Sequence, residues 1–392
     1  MKRLAIITTH PIQYNAPLFR LMANQKIIHP KVFYTWSQAK DKVEDKGFGK
    51  TIQWDIPLLE GYEYQFLNNH AKKPGNRSFF GIDNHDIISK IKTWKPDAIL
   101  VFGWNFKSHL QVMRHFKGKI PVWFRGDSHL LDETPGLKTL ARRIFLKWVY
   151  SHVDKAFYVG INNKNYYLKH GLKESQLIFA PHAINNEFFY DDDVKKYEQR
   201  AAEWRKELGY KENDIVLLFA GKFDQNKQPE LLIKAIHKLH KENVYDYPIK
   251  LLKLLLAGTG PLEYELKKLA GNSPYIQFLS FQNQSQMPVL YRVGNIFCLL
   301  SLSETWGLGV NESLACGRPV LVSHKVGCAI DLVIEGKNGF VFTSGSQDSL
   351  ISKLEIFLKT KHDFRNQSLA SVSDWNYQAI IEAIYQSFGI KS

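Results

Sequence analysis

Two carboxylates eight positions apart, Glu304 and Glu312, stand in the segment Ser301–Val320, S-L-S-E-T-W-G-L-G-V-N-E-S-L-A-C-G-R-P-V. An apolar strand, Ile296–Leu300, is expected to run into a loop holding Gly307 and Gly309. A helix of small residues, Val310–Cys316, follows and is closed by Gly317, and Pro319 opens the next strand. A helix N-terminus leaves backbone N–H groups without partners and carries the positive end of the helix dipole, which suits a diphosphate. Glycine lets the backbone come close to it. Carboxylates accept hydrogen bonds from hydroxyls, so Glu304 and Glu312 fit a ribose or a sugar rather than the phosphates. The alternative is two surface glutamates beside a tight turn.

A second segment, Phe219–Pro229, also leaves a strand and enters a helix. It contains Gly221, Lys222 and Lys227, and both lysines could reach one anionic group above the strand ends. A charge-assisted hydrogen bond contributes roughly 1.5–3 kcal/mol. Two on a departing diphosphate would help it leave. Two solvated loop lysines are the alternative. A third segment, Leu255–Glu263, carries Gly258 and Gly260 but has Glu263 where G-x-G-x-x-G needs its third glycine. It reads as a sharp strand-to-helix turn.

These loops need strands and helices to hold them. Short β-branched and aliphatic runs alternate with longer mixed segments, the pattern of βα units and parallel sheets. In the first half the expected strands are Leu4–Thr8, Val32–Thr35, Ala98–Phe102, Val122–Phe124 and Lys155–Val159. Asn15 and Pro17 can start a helix, Lys138–His152 reads as another, and Lys40–Ser78 reads as an irregular insertion. After a charged helix, Val194–Leu208, the pattern restarts. Strands are expected at Ile215–Ala220, Leu251–Ala257, Ile276–Leu279, Ile296–Leu300 and Pro319–Val322, and helices at Pro229–His240 and Leu262–Ala270. The boundary falls near residues 186–200. Residues 1–190 form a first domain and 191–376 a second, and the amphipathic segment 377–392 crosses back onto the first.

The length of 392 residues suits two such domains. Net charge is +14, and residues 1–190 supply +13 of it, from 28 Lys and Arg against 15 Asp and Glu. A field of that sign favours an anionic partner: nucleic acid, anionic lipid or a phosphorylated substrate. The three cysteines, Cys298, Cys316 and Cys328, form no C-x-x-C and read as small core residues. No apolar run reaches membrane-spanning length, and Leu4–Ile7 after Met1-Lys2-Arg3 is too short for a signal peptide. A cytoplasmic chain is expected. Asp191 and Asp193 spell Asp-x-Asp, but a run of acids before a helix explains them through the dipole. Arg125-Gly126-Asp127 spells an adhesion tripeptide with no role in such a chain. Zincin, P-loop and serine-hydrolase motifs do not occur.

Taken together, the second half resembles glycosyltransferase family 4 of the GT-B fold, over about residues 215–345. Glu304 and Glu312 match the ends of its Glu-x7-Glu motif, and Thr305-Trp306-Gly307-Leu308 stands where Gly-Phe-Gly-Leu is usual. Leu314–Val320 and Gly336-Lys337-Asn338-Gly339-Phe340 match later stretches. Gly221-Lys222-Phe223 with Lys227 is similar to the Gly-Arg-Leu…Lys element, lysine replacing arginine and losing its bidentate fork. The resemblance implies an α/β GT-B chain, two Rossmann-like parallel-sheet domains facing a central cleft. It implies a retaining transfer from a nucleotide-diphosphate sugar to a glycan or lipid-linked acceptor, in surface polysaccharide or glycoconjugate synthesis, without a metal or other cofactor.

In that reading the leaving diphosphate meets Lys222, Lys227 and backbone N–H groups near Trp306 and Gly307. Glu304 faces the donor sugar and Glu312 the ribose, with Gly221, Gly258 and Leu308 completing the donor site. His129 is the candidate histidine touching the donor sugar, and no protein nucleophile is expected. The first half matches less: the loop Thr9–Asn15 lacks the family's glycines. His10, Gln13 and Tyr14 there, with Arg125 and Asp127, are the acceptor-side candidates. An anionic membrane surface, met by the Lys138–His152 helix at the inner face of the cell membrane, is a further expected partner, and no specific nucleic acid is expected. A sugar-nucleotide epimerase or another GT-B-like enzyme, and a non-catalytic binder of anions or nucleic acid, remain the competing readings.

Overall fold

The computed structural model describes residues 1–39, 43–45, 50–52, 55–242, 249–360 and 363–390. The chain separates into two units. The first comprises Met1–Val43, Ile56–His182 and Asn376–Ser392, and the second Glu44–Asp55 and Ala183–Trp375.

In chain order the early strands are β1 (Lys2–Thr8), β2 (Ile28–Tyr34), β3 (Val43–Asp45), β4 (Lys50–Ile52), β5 (Glu63–Phe66), β6 (Ala98–Phe102), β7 (Val122–Arg125), β8 (Lys155–Tyr158) and β9 (Leu177–Phe179). Seven of them form one sheet in the order β5-β2-β1-β6-β7-β8-β9, while β3 and β4 pair with each other. Every pairing in the seven-stranded sheet is parallel, with Ile6 opposite Val32 on one side and Leu100 on the other. The runs Leu4–Ile7 and Ala98–Val101 are buried throughout, as strands covered by helices on both faces must be.

The second unit holds β10 (Ile215–Lys222), β11 (Leu252–Thr259), β12 (Ile276–Leu279), β13 (Ile296–Leu299), β14 (Val320–Ser323) and β15 (Gly339–Phe342). Their order is β12-β11-β10-β13-β14-β15, again all parallel. Leu217, Phe219, Leu254, Leu256 and Leu321 anchor its core with Leu232, Ile236 and Leu239 of the helix Glu230–Glu242. Cys298, Cys316 and Cys328 are free and buried.

Several elements differ from the sequence reading. The supposed insertion Lys40–Ser78 contributes β5, an edge strand with half of its residues exposed. Residues 40–42, 46–49 and 53–54 of it lie outside the described residues. The three-residue β9 extends the sheet on its other edge. In the stretch Gly336–Phe340 the turn is made by Gly336, at φ +72°, with Lys337 and Asn338, and Gly339 already belongs to β15. The charged helix begins at Tyr197 rather than Val194, because Asp191 accepts the N–H groups of Tyr197 (2.6 Å) and Glu198 (3.0 Å) and so sets its start. The helix Tyr377–Ser387 sits in the first unit. Tyr385 Oη donates to Gln25 Oε1 at 2.7 Å, and the ring of the following Phe388 lies 4.6 Å from that of Trp123.

Candidate active site

In an open parallel sheet, ligands bind beyond the carboxyl ends of the strands where the strand order reverses. In the second unit that point lies between β10 and β13. The loops leaving these two strands are the two singled out by their lysines and carboxylates.

One side chain ties them together. Asn226 accepts the N–H of Leu302 on its carbonyl (2.8 Å) and the N–H of Ser303 on Oδ1 (3.1 Å), and its Nδ2 donates to the Ser303 carbonyl (2.9 Å). Asp224 Oδ1 accepts the Lys227 N–H at 2.9 Å, which turns the lysine loop back on itself. The two loops thus bring Lys227 Nζ into an ion pair with Glu304 Oε2, which also accepts from Ser301 Oγ at 3.3 Å. Next to Lys227, Gln228 holds φ at +49°, a conformation costing roughly 1–2 kcal/mol in a residue with a side chain. Lys222, half-buried, ends β10 opposite Thr259.

One glycine here is required by close backbone approach. Gly258, at φ +148°, lies opposite Gly221, and a Cβ on it would stand 1.9 Å from the Gly221 carbonyl oxygen. Gly307, at φ +98°, precedes the helix Leu308–Ala315. The loop Glu304–Trp306 is sewn to the turn after β14: Glu304 N–H donates to Lys325 O (3.2 Å), Gly327 N–H to Glu304 O (2.9 Å) and Cys328 N–H to Trp306 O (3.0 Å). Leu308, in the first turn of that helix, is therefore presented by a loop fixed on both sides.

Two residues expected on the donor side occupy places their spacing did not reveal. The Trp306 side chain is buried, its Nε1 donating to Asn311 Oδ1 at 2.8 Å and its ring 5.1 Å from that of Trp375. Its ring is thus held inside the second unit. Glu312 is 3% exposed, and accepts from Tyr291 Oη (2.7 Å) and Gln284 Nε2 (3.1 Å).

The corresponding reversal in the first unit lies between β1 and β6. His10, Gln13 and Tyr14, all half-buried, lie on the loop after β1. His10 Nδ1 is 2.8 Å from Thr9 Oγ1, its ring meets Trp36 edge-on, and burial lowers its pKa to about 4, so it is neutral at pH 7. The Tyr14 carbonyl accepts from Tyr377 Oη at 2.9 Å. Beneath this loop a buried polar set, His109, Thr35 and Asn84, closes the strand ends. His109 Nδ1 faces the carbonyls of Phe102 (3.1 Å) and Gly103 (2.9 Å), and its Nε2 faces Thr35 Oγ1 (2.9 Å).

Arg125, expected on the acceptor side, is buried at the end of β7. Its guanidinium donates to the carbonyls of Ala180 and Pro181, each at 2.8 Å. Its fork is thereby occupied in holding the chain where the first unit ends. Burial lowers the Arg125 pKa to about 10 against the nearby charges of Tyr167 and Asp127, and Asp127 also favours the charged form of His182. His182 is nevertheless driven down to about 4 by burial, with Arg125 adding to the effect. His129 Nδ1 accepts the Leu131 N–H at 3.2 Å. Sequence reading missed Asn226, Gln284, Tyr291, Trp375 and His182.

Residues 200–370 match the family described as "Glycosyl transferases group 1". The putative glycosyltransferase EpsD of Bacillus subtilis is 26% identical over 216 residues, 53% of this chain and 52% of its own length. A Campylobacter jejuni enzyme is 26% identical over 332 residues, 79% of this chain and 84% of that one. Its name is GalNAc-alpha-(1->4)-GalNAc-alpha-(1->3)-diNAcBac-PP-undecaprenol alpha-1,4-N-acetyl-D-galactosaminyltransferase. The chain thus spans about half the length of relatives such as EpsD, and more of the Campylobacter enzyme. Among solved structures, Anabaena HepE in complex with UDP and glucose superposes with a TM-score of 0.70 at 15% identity, covering 99% of this chain and 100% of that one. At that identity the likeness speaks for the fold alone. With two Rossmann-like parallel-sheet units and structural neighbours of the GT-B type, the chain has the GT-B fold, and its residues 200–370 match the group 1 glycosyl transferases.

Proposed function

We propose that the chain moves a glycosyl group from a nucleotide-diphosphate sugar to a glycan or lipid-linked acceptor, with retention of configuration and without a metal. The observation that carries this reading is the Lys227–Glu304 pair, held by Asn226 at the strand-order reversal beside the N-terminus of the helix Leu308–Ala315. A cation for phosphate oxygens and a carboxylate for sugar hydroxyls are what a sugar diphosphate needs side by side.

In the proposed reaction the bond from the sugar's anomeric carbon to the diphosphate breaks, a bond to the acceptor hydroxyl oxygen forms, and that hydroxyl's proton passes to the departing diphosphate. Lys222, Lys227 and the N–H groups of the first helical turn around Leu308 meet the charge that grows on the departing diphosphate. Glu304 accepts from the sugar hydroxyls and orients the anomeric carbon. Glu312 accepts from the ribose hydroxyls. The loop His10–Tyr14, with Gln13 between them, takes the acceptor side.

UDP is the first nucleotide to try, because HepE is described with UDP and glucose. A polyprenyl-diphosphate glycan is a candidate acceptor, because the Campylobacter relative is named for one. The test is a thermal-shift panel with UDP, GDP and ADP. Binding to the folded state alone raises the midpoint, so one of the three should raise it. If none does, the donor assignment falls. Retention is checked by the anomeric proton signal of the product.

A further inference from the structure

The helix Leu137–Tyr150 is apolar on two faces. Leu146, Val149 and Tyr150 pack into the first unit's core. Leu137, Leu140, Ile144, Phe145 and Trp148 are all exposed, from 42% at Trp148 to 86% at Leu137. At roughly 100° per residue these five lie within about 140° of the helix circumference, away from the core face. Scattered single apolar residues on a surface are ordinary, whereas a contiguous stripe marks an interaction site.

The borders of the stripe are basic. Lys147 lies on one side, Lys138 and Arg142 on the other, and all three are exposed. Arg143 is already paired with Glu133. From the neighbouring helix Lys107–Phe116, Arg114 places its guanidinium 5.5 Å from the Trp148 ring centre. The sequence Leu137–Tyr150 contains no acid. Two copies meeting on this face would set cations against cations with no carboxylate on the helix to answer them. An apolar face with a border tryptophan and flanking cations instead matches an interface where acyl chains meet anionic headgroups.

We propose that this face docks the protein on an anionic lipid bilayer, the apolar stripe entering the headgroup boundary and Lys138, Arg142, Lys147 and Arg114 meeting lipid phosphates. No described helix is long and apolar enough to cross a membrane, so the attachment is peripheral through this face. The inference does not depend on the reaction proposed above.

The test is sedimentation of the full chain with vesicles of phosphatidylcholine alone and of phosphatidylcholine mixed with phosphatidylglycerol. Three or four basic residues at the surface predict partitioning on the order of a hundredfold stronger for the anionic vesicles. Ile144→Asp should abolish most of that binding. Lys138→Gln/Arg142→Gln/Lys147→Gln, which leaves the apolar residues in place, should erase the preference for anionic lipid. Both changes are at exposed positions, so melting without vesicles should be unchanged, and the triple variant carries the test if Ile144→Asp does not fold. Equal sedimentation with both vesicles, no sedimentation, or a triple variant that binds like wild type would overturn the proposal. A dimer in gel filtration that Ile144→Asp dissociates would overturn it too, in favour of a second copy. A UDP-induced thermal shift that is the same in all these variants shows that the donor site is unaffected, whichever way the vesicle result falls.

Discussion

Lys227 and Glu304 should respond to mutation in opposite directions. In the free protein they neutralise each other with side chains 22% and 19% exposed, so the pair is partly shielded from water. Lys227→Ala removes one charge-assisted bond to the incoming diphosphate and leaves Glu304 facing it. Such a bond contributes about 1.5–3 kcal/mol, which is a loss of roughly 10- to 150-fold in affinity. Glu304→Gln removes the competitor for the lysine. An ion pair of this exposure is worth about 1 kcal/mol, so UDP should bind roughly fivefold more tightly to Glu304→Gln than to wild type. Transfer by the same variant should be slower, because the sugar loses a charged acceptor for its hydroxyls. The assay is isothermal titration with UDP, GDP and ADP on wild type and both variants, with circular-dichroism melts to show that each is folded. Weaker binding by both variants, or unchanged affinity in Lys227→Ala, would refute the reasoning.

Gly258→Ala should cost at least about 3 kcal/mol, because its new Cβ would lie 1.9 Å from a backbone oxygen that cannot swing away. Gly209→Ala, at φ +79° in open space, should cost only about 1–2 kcal/mol, and urea titration compares the two. Arg125→Ala should leave the Ala180 and Pro181 carbonyls unpaired and destabilise by roughly 2–5 kcal/mol, while UDP affinity is unchanged. An unaltered melting curve would show that the buried fork is dispensable. His109 is held at a pKa of about 4 by burial, below its ordinary 6.5, so the unfolded chain takes up a proton first as pH falls. Its contribution is complete above about pH 6.5 and is lost towards pH 4, roughly 3 kcal/mol in all. Urea titrations at pH 7 and pH 4.5 should show a smaller drop in His109→Gln than in wild type, and equal drops would remove the histidine from the explanation.

The second unit was more legible in the sequence than the first because its loops are built from residues with few uses. A glycine between a buried strand and a helix, with carboxylates and lysines around it, narrows the options to backbone approach and polar recognition. The close passage of Gly221 and Gly258 is a backbone approach within the sheet itself. Partners far away in the chain were not legible. Trp306 reads as a loop aromatic until Trp375 is seen beside it, and Glu312 reads as an open carboxylate until Tyr291 and Gln284 are placed on it. Asn226 looked like one more polar loop residue, and only its position opposite Leu302 and Ser303 shows that it joins two loops. Edge strands such as β5 and β9 escaped because three or four half-exposed residues leave little periodicity to read. The helix Lys107–Phe116, in contrast, buries Leu110, Met113 and Phe116 at helical spacing and could have been assigned.

The central claim is that a nucleotide diphosphate rests on the loops after β10 and β13. Hydrogen–deuterium exchange of the full chain, with and without saturating UDP, GDP or ADP, tests it most directly. The account predicts that one of these nucleotides slows exchange in peptides covering residues 221–228 and 301–310 and leaves β12 and β15 unchanged. Protection confined to other segments, or none with any of the three nucleotides, would contradict it.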